Sequence, residues 1–331
     1  MKKKTIIVTG ASGFIGKFLI KELIKNKNNF VVGVYYKSNY HKLKKEFRDK
    51  VKWLKVNLVK DNLNKILPNA DVVYHLSGYY PVSSSAHEVD TLKKINLLAT
   101  KRLAATCKYL NIKQFIFISS IAACEASKDL IINEDNGYPI TIYGRIKKKA
   151  ETELFNISKG HYNLTVLRPT SIFGENHKGT IYQIAKIIKK RMFVKFGRNT
   201  CYVNFYYVKD FVDLLVKIKL KKIFFNKIFI VADKPLKLET LVYVIQKTLK
   251  LKKKLNYFPL FTGHVVAFFF ELISLFNKKY LLFSTKKLNK LNNKVIYSNK
   301  KISKLTTFKY RHGVIAGIIR SINWYKKTNL L

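Results

Sequence analysis

Two side chains that can take part in proton transfer, Tyr143 and Lys147, stand four residues apart in the sequence. On a helix this spacing places both of them on one face. A free tyrosine has a pKa of about 10, and a neighbouring ammonium group lowers that pKa by favouring the phenolate. Ser120, which follows an apolar run, can donate a hydrogen bond to the same substrate oxygen. These three residue types predict proton exchange with a hydroxyl or carbonyl group.

A glycine-rich turn follows the first apolar run, in the segment Thr9-Gly10-Ala11-Ser12-Gly13-Phe14-Ile15-Gly16. Gly10 fits a tight turn, Gly13 lets the backbone approach a pyrophosphate, and Gly16 allows a helix to pack closely on its strand. The helix that begins there offers backbone N–H donors and the positive end of its dipole. The turn therefore predicts a dinucleotide phosphate site.

Short runs rich in Val and Ile alternate with helical patterns through the first half of the chain. The predicted strands are Thr5–Thr9, Phe30–Tyr35, Val51–Val56, Asp71–Leu76, Gln114–Ser119 and Leu164–Arg168. Helices are predicted over Phe14–Lys25 and Thr91–Leu110, and another begins near Tyr143. This alternation predicts an α/β fold with a doubly wound parallel sheet, the Rossmann fold.

The pattern becomes irregular beyond residue 170, where helices are predicted over Thr180–Lys190, Asp210–Ile218 and Leu238–Leu249. No linker stands out between the two halves of the chain. We therefore predict a dinucleotide-binding Rossmann domain over residues 1–168 and a smaller, mixed α/β substrate-binding lobe over residues 169–331, fused to the first.

The order of the motifs resembles the extended branch of the short-chain dehydrogenase/reductase family, which includes NAD(P)-dependent nucleotide-sugar epimerases and dehydratases. A glycine turn preceded by Thr comes first, Ser120 ends the fifth strand, and the Tyr-x-x-x-Lys motif begins 23 residues later. The resemblance covers about residues 4 to 220. It implies that Tyr143 exchanges the proton, that Lys147 binds the nicotinamide ribose and tunes Tyr143, and that Ser120 orients the substrate oxygen.

Further segments are similar to family motifs that surround the cofactor and the substrate. Together with Lys37, the implied cofactor contacts are Gly10, Gly13, Phe14, Ile15, Gly16, Asn57, Leu58, Leu76, Ser77, Gly78, Asn96, Tyr143, Lys147 and Pro169. The implied substrate contacts are Ser120, Thr170 and Ser171, with Lys195 and Arg198 as candidate cations for a diphosphate. No metal site is expected, because the seven His show no ligand spacing.

The end of the second predicted strand bears on the choice of cofactor. It carries no carboxylate for a ribose 2′-hydroxyl, whereas Lys37 can pair with a 2′-phosphate, which favours NADP over NAD. The sequence also departs from the family at Asn57, where an acidic residue is usual, and at Cys124-Glu125, where nucleotide-sugar enzymes often carry Tyr-Gly. No Asp-Glu pair follows Ser120, which disfavours a dehydratase.

These features lead us to expect an epimerase or a 4-keto reductase that acts on a nucleotide-diphosphate sugar, in surface-polysaccharide or sugar-nucleotide synthesis. Two alternatives stay open. One is an NADP-dependent reductase of a steroid-like or flavonoid-like ketone, which needs an apolar substrate pocket. The other is a non-catalytic, basic RNA- or membrane-binding protein on the same fold, which has no need of Ser120, Tyr143 and Lys147.

The charge of the chain is one-sided, with 64 Lys+Arg against 19 Asp+Glu and a formal net charge of +45. Lysines occur throughout the sequence, so a compositional background is favoured over selection for nucleic acid. The three Cys form no close pair, which fits a reducing compartment. We expect a cytoplasmic protein that forms a homodimer. Peripheral contact with the inner face of a membrane stays open as an alternative.

The most apolar segment, residues 265–276, is too short to span a bilayer, which needs about 18 apolar residues. Lysines flank this segment in the sequence. We expect its helix to pack an apolar face on the core, with a membrane surface as the alternative.

Overall fold

The computed structural model describes residues 3–81, 85–251, 255–276, 285, 288, 294–306 and 311–331. The chain divides into two compact units. The first comprises Met1–Thr170, Val208–Val231 and Ser298–Tyr310, and the second comprises Ser171–Tyr207, Ala232–Tyr297 and Arg311–Leu331. The chain first passes from one unit to the other after Thr170, beside the boundary expected at residues 168/169. Two later stretches of chain belong to the first unit again.

The strands are β1 (Lys4–Thr9), β2 (Asn29–Tyr35), β3 (Val51–Lys55), β4 (Val72–His75), β5 (Gln114–Ile118), β6 (Ile131–Ile132), β7 (Asn163–Pro169), β8 (Ser171–Phe173), β9 (Val194–Phe196), β10 (Tyr202–Val203), β11 (Phe205–Tyr207), β12 (Lys227–Val231), β13 (Leu236–Lys237), β14 (Asn256–Phe258) and β15 (Ile296–Tyr297).

The α-helices are α1 (Phe14–Leu23), α2 (Tyr40–Phe47), α3 (Leu63–Ile66), α4 (Ala86–Lys93), α5 (Ala99–Cys107), α6 (Ile142–Ser158), α7 (Thr180–Lys189), α8 (Val208–Ile218), α9 (Leu238–Thr248), α10 (Leu260–Phe276), α11 (Lys300–Leu305) and α12 (Gly313–Lys327). Single 3₁₀ turns occur at Arg48–Lys50, Ile121–Cys124 and Lys222–Phe224.

Seven parallel strands of the first unit form one sheet in the order β12-β7-β5-β4-β1-β2-β3. The predicted doubly wound parallel sheet is confirmed. The strand order reverses between β1 and β4, and in such sheets ligands bind at the carboxyl ends of the strands where the order reverses. The glycine turn follows β1 at this point.

The central strands of the sheet are buried on both faces. Every residue of β4 and β5 is buried, as expected of parallel strands that are covered by helices on both sides. On one face, side chains such as Val73, Phe115 and Val166 form a common apolar core with Leu103 and Leu154 of the covering helices. This continuous burial explains why the strands could be recognised as unbroken apolar runs.

A π-helical turn at Lys94–Leu98 joins α4 to α5. Ser85 caps α4 by accepting a hydrogen bond from the N–H of Glu88. The helix predicted over Thr91–Leu110 is therefore the second half of a longer helical segment that begins at Ala86. Asn96 lies in the π turn and is buried, and such turns are frequently found at functional sites.

The second unit combines three short strand pairs with helices. Strands β8 and β11 pair in parallel, as do β9 and β14, whereas β10 and β13 are antiparallel. Helix α12 contacts α9, α7 and β11. Gly317 of this helix lies so close to the ring of Tyr207 that a larger residue would have no room there. The helices predicted near Thr180 and Leu238 are confirmed as α7 and α9.

Helix α10 differs from the expectation for the apolar segment. Gly263 and Ala267 are buried, whereas the large side chains of Phe261, Phe268 and Phe269 are more than half exposed. The expectation that this helix packs its bulky apolar face on the core is therefore wrong for the described residues. Its small residues take the buried side instead.

Candidate active site

Ser120 stands just beyond the carboxyl end of β5, with an extended backbone (φ −158°, ψ 151°). It caps the 3₁₀ turn Ile121–Cys124, since its Oγ accepts a hydrogen bond of 3.2 Å from the N–H of Ala122. The strand end and the cap together fix the position of this hydroxyl.

The start of α6 fixes the position of Tyr143. Thr141 is the N-cap, and its Oγ1 accepts a hydrogen bond of 3.0 Å from the N–H of Gly144. The same hydroxyl donates to Oε1 of Glu125 at 2.6 Å, and the Thr141 N–H donates to that oxygen at 2.9 Å. Glu125, which departs from the family motif, thus anchors the helix that carries Tyr143.

Gly144 brings α6 close to the turn that Ser120 caps. A Cβ at this position would lie 2.1 Å from the carbonyl oxygen of Ala122, so only glycine permits the approach. The side chains of Ser120 and Tyr143 consequently lie near each other. Burial raises the pKa of Tyr143 above its ordinary value, and the nearby Ser120 hydroxyl acts in the opposite direction. The ring of Tyr80 packs edge-on against Tyr143, with 4.9 Å between the ring centroids.

Lys147, one turn further along α6, is only 3% exposed. Its Nζ donates a hydrogen bond of 2.9 Å to the carbonyl oxygen of Ile118 and lies 4.2 Å from the centroid of the Phe117 ring. Burial lowers the pKa of Lys147 to about 8, and the carboxylate of Glu151 opposes this shift. The ammonium group is therefore held in place by the end of β5.

A buried ion pair beneath Lys147 was not anticipated from the sequence. Glu151 is 1% exposed and Arg168 is fully buried, and their side chains pair with an Nη2–Oε2 distance of 2.7 Å. Nε of Arg168 also donates to both oxygens of Glu151, and the hydroxyl of Ser119 donates to Oε1 at 2.5 Å. Tyr143, Lys147 and Glu151 are spaced by four residues along α6, so the sequence places them on one helix face but does not show that Lys147 and Glu151 are buried.

The glycine turn fits a dinucleotide phosphate. Gly10 has a positive φ of 66°, and a Cβ there would lie 2.8 Å from the backbone nitrogen of Ser77. At Gly16 a Cβ would lie 2.3 Å from the carbonyl oxygen of Gly10. Phe14 and Ile15 begin α1, whose first turn presents backbone N–H groups at the sheet edge. The backbone thus forms a close-fitting cradle around the phosphate position, and side chains in place of Gly10 and Gly16 would overlap neighbouring backbone atoms.

The segment after β4 lies beside this cradle. Leu76, Ser77 and Gly78 continue from β4, and Ser77 donates its N–H to Oγ1 of Thr9. Asn96 holds the next part of the segment, because it accepts from the N–H of Tyr79 at 2.7 Å and donates to its carbonyl at 2.8 Å. This clamp precedes Tyr80, whose ring contacts Tyr143.

His75 is a packed residue of β4. Its Nδ1 lies 2.7 Å from Oγ1 of Thr9 and its Nε2 lies 2.9 Å from Oγ1 of Thr100. Burial lowers the pKa of His75 to about 3, with a further contribution from Lys147. The imidazole is therefore neutral and links β1, β4 and α5.

A cavity of about 390 Å³ opens at the carboxyl end of β2, lined by Tyr35, Tyr36, Lys37, Ser38, Tyr40 and Lys55. Lys37 is exposed there, and Lys55 adds a second cation that was not singled out in the sequence. Nearby, Asn57 shapes a turn by accepting from the N–H of Val59, and Leu58 is buried.

The expected substrate residues fall in both units. In the first, Pro169 ends β7 and Thr170 donates its N–H to the carbonyl of Val231. In the second, Ser171 and Arg198 are exposed, whereas Lys195 is buried. The ammonium of Lys195 pairs with Glu239 and donates to the carbonyl of Asn199, so it stabilises the 195–199 loop.

The comparisons with known proteins agree with this geometry. A model of the NAD dependent epimerase/dehydratase family matches residues 6–229. The chain is 28% identical over 294 residues to N-acetyl-alpha-D-glucosaminyl-diphospho-ditrans,octacis-undecaprenol 4-epimerase of Escherichia coli O157:H7, covering 85% of this chain and 83% of that protein.

Solved structures share the fold. A UDP-glucuronic acid 4-epimerase from Bacillus cereus, in complex with UDP-glucuronic acid and NAD, superposes with a TM-score of 0.77 at 20% identity, over 98% of this chain and 99% of that chain. A UDP-N-acetylglucosamine 4-epimerase from Methanobrevibacter ruminantium M1 gives a TM-score of 0.76 at 22% identity, over 99% and 100% of the two chains. Because the family match extends over more than half of its length, the chain belongs to the NAD dependent epimerase/dehydratase family.

Proposed function

We propose that this enzyme is a 4-epimerase of a diphosphate-linked sugar in surface-polysaccharide synthesis. The observation that carries the proposal is the placement of Ser120 near Tyr143, with the buried Lys147 one turn further along the helix that carries Tyr143. The substrate class follows from the relative at 28% identity, whose name describes a 4-epimerase acting on a diphosphate-linked N-acetylglucosamine.

In the proposed mechanism, Tyr143 takes the proton from the sugar hydroxyl and later returns it. Ser120 holds the sugar oxygen next to the phenol, because its hydroxyl lies near that of Tyr143. Lys147 binds the nicotinamide ribose and supplies positive charge near the phenol. A bound nicotinamide cofactor supplies the exchange of hydride with the sugar carbon. Burial raises the pKa of Tyr143, which disfavours its phenolate. Formation of the phenolate would therefore require added positive charge near the hydroxyl, of the kind that a bound oxidised cofactor would bring.

The other proposed contacts to the cofactor and the substrate begin at the glycine turn. The backbone at Gly10, Gly13 and Gly16 holds the pyrophosphate, and the segment at 76–78 together with Asn57 and Leu58 lines the rest of the dinucleotide. Asn96 acts on the site by clamping Tyr79. Thr170, Ser171 and Arg198 remain proposed substrate contacts, whereas Lys195 is already paired with Glu239 and supports the loop that carries Arg198.

The test is an interconversion assay with UDP-N-acetylglucosamine and with its polyprenyl-diphosphate-linked counterpart. The enzyme should form the 4-epimer of at least one of them without net reduction of added cofactor. Tyr143→Phe should lower turnover by about 10²- to 10⁴-fold and change cofactor binding far less. Tyr138→Phe, at an exposed tyrosine five residues earlier, is the matched control. Full turnover by Tyr143→Phe would exclude the proton-transfer role.

A 4-keto reductase is the second candidate, favoured by Lys37 and Lys55 in the cavity at the end of β2. Two lysines suit the 2′-phosphate of NADP, and a reductase releases its cofactor after each turnover. Native mass spectrometry of freshly purified protein separates the two functions, because retained NAD supports the epimerase and an empty site that fills with NADPH supports the reductase. Lys37→Asp should reduce any NADP preference at least about tenfold, whereas the exposed Lys45→Asp should not.

A further inference from the structure

Helix α10 presents an apolar surface made of its largest side chains. Phe261, Val265, Phe268 and Leu272 follow one another at spacings of four, three and four residues and are 67%, 50%, 61% and 45% exposed. These spacings place them along one side of the helix. The neighbouring exposed residues are Leu260, Val266, Phe269 and Ile273.

The opposite side of α10 includes small residues that are buried. Gly263 and Ala267 are buried, and a Cβ on Gly263 would lie 2.7 Å from the Phe196 ring. A helix that only filled a core would bury its large apolar residues and expose its small ones. The reversed arrangement attaches the helix closely to the second unit and leaves the bulky face available to an apolar partner.

The residues that flank α10 in the sequence indicate the chemistry of that partner. From Lys247 to Lys294 the sequence contains eleven lysines and a single acidic residue, Glu271. Glu271 is only partly exposed, and it accepts hydrogen bonds from the N–H and the hydroxyl of Thr285. An apolar helix within a lysine-rich segment matches an anionic lipid surface, where buried apolar area and attraction to lipid charge add together.

We propose that α10 lies in the interface of an anionic phospholipid bilayer, with Phe261, Val265, Phe268 and Leu272 entering the acyl boundary. A second copy of the chain fits this face less well, because each copy carries a net charge of +45 and the pairing would bring two lysine-rich segments together. Among the described residues no helix is long and apolar enough to cross a bilayer, and interfacial binding needs none. The inference does not depend on the proposed function.

Vesicle flotation with the full-length protein tests the proposal. The protein should float with phosphatidylglycerol-containing vesicles at least about tenfold more than with phosphatidylcholine vesicles. Phe268→Asp combined with Phe269→Asp should abolish flotation, because both carboxylates would have to enter the apolar boundary. Tyr109→Asp combined with Leu130→Asp, at two positions of the first unit that are 71% and 65% exposed, should float like the unaltered protein.

Two further measurements complete the test. The α10 double variant should keep its thermal midpoint and its activity on a water-soluble nucleotide sugar, which separates loss of docking from loss of folding and from failure of the proposed function. Unchanged flotation of this variant would overturn the proposal. Absence of flotation, together with a dimer that dissociates in this variant by light scattering, would assign the face to a second copy of the chain instead.

Discussion

Two opposing effects, burial and the carboxylate of Glu151, determine the pKa of Lys147. Burial lowers its pKa to about 8, and the carboxylate of Glu151 one turn further along α6 raises it. Glu151 is itself fixed by the fully buried guanidinium of Arg168 and by the hydroxyl of Ser119. The buried ion pair therefore sets both the position and the orientation of the carboxylate that supports the Lys147 ammonium.

Replacing Glu151 by Gln should narrow the pH range of activity. Without the carboxylate the pKa of Lys147 falls further, so the ammonium is lost at a lower pH and the alkaline limb of kcat/KM moves down. Between about pH 7 and pH 8.5, kcat/KM of Glu151→Gln should fall roughly three- to tenfold more than that of the unaltered enzyme. Leaving Arg168 buried without its carboxylate should also cost about 3 kcal/mol in the free energy of unfolding.

Glu153→Gln is the matched control on the same helix. Glu153 pairs with Lys101 at 2.9 Å on the surface, where its side chain is 27% exposed, so its loss should cost less than about 1 kcal/mol. The alkaline limb should stay in place in this variant. If Glu151→Gln only lowered stability and left the pH profile unchanged, Glu151 would have a structural role without influence on Lys147.

At the residue level, the sequence allowed Ser120, Tyr143 and Lys147 to be predicted together because their order along strand and helix carries information. Glu151 could not be recognised in the same way. A glutamate four residues after a lysine is typical of an exposed helical ion pair, and only the fold shows that both are buried. The pairing of Lys195 could not be predicted either, since its partner Glu239 is 44 residues away.

At the level of elements, the approach of α6 to the turn Ile121–Cys124 joins the catalytic residues. The helix and the turn come closest at Gly144, where a Cβ would overlap the carbonyl oxygen of Ala122. Thr141 and Glu125 fix the start of the helix at the same place. The distance between the Ser120 and Tyr143 hydroxyls therefore depends on the absence of one methyl group.

Gly144→Ala should separate the two hydroxyls and lower kcat by about 10²-fold, because a displacement of about 1 Å at a catalytic group has this effect. The overpacked contact should also cost about 1–3 kcal/mol in stability. Steady-state kinetics together with thermal unfolding measures both effects, and the binding of cofactor to the glycine turn should change little. The exposed Lys149→Ala on the same helix controls for changes in helix propensity. An unchanged kcat would show that α6 does not need this close approach.

The elements that sequence predicted best are those buried on both sides. Strands β1, β2, β4 and β5 lie within one or two residues of their predicted bounds, because a continuous apolar run bounded by polar turns has few other placements. The beginning of the α4 helix was missed, since its polar residues carry no apolar periodicity. The orientation of α10 was missed because a helix that is apolar on every side gives no pattern that identifies its buried face.

At the level of the whole molecule, the net charge of +45 acts against the compact state. The 64 Lys+Arg outnumber the 19 Asp+Glu, so most basic side chains cannot each have a carboxylate partner. In the unfolded chain the same charges are farther apart, so folding raises their mutual repulsion. At about 10 mM salt the screening length of about 30 Å lets this repulsion act across a whole domain, and at about 150 mM it shrinks to about 8 Å.

The thermal midpoint should therefore rise by a few °C when sodium chloride is increased from about 10 mM to 200 mM, as measured by differential scanning fluorimetry. A variant with Lys27, Lys45, Lys52, Lys108 and Lys159 replaced by Gln should start from a higher midpoint at low salt and respond less to added salt, because these lysines are exposed and its net charge is lower.

A midpoint that falls with salt would show that surface ion pairs such as Lys17–Glu46 outweigh the repulsion. A rise that sulfate produces at far lower ionic strength than chloride would instead identify a specific anion site, because general screening depends on ionic strength alone.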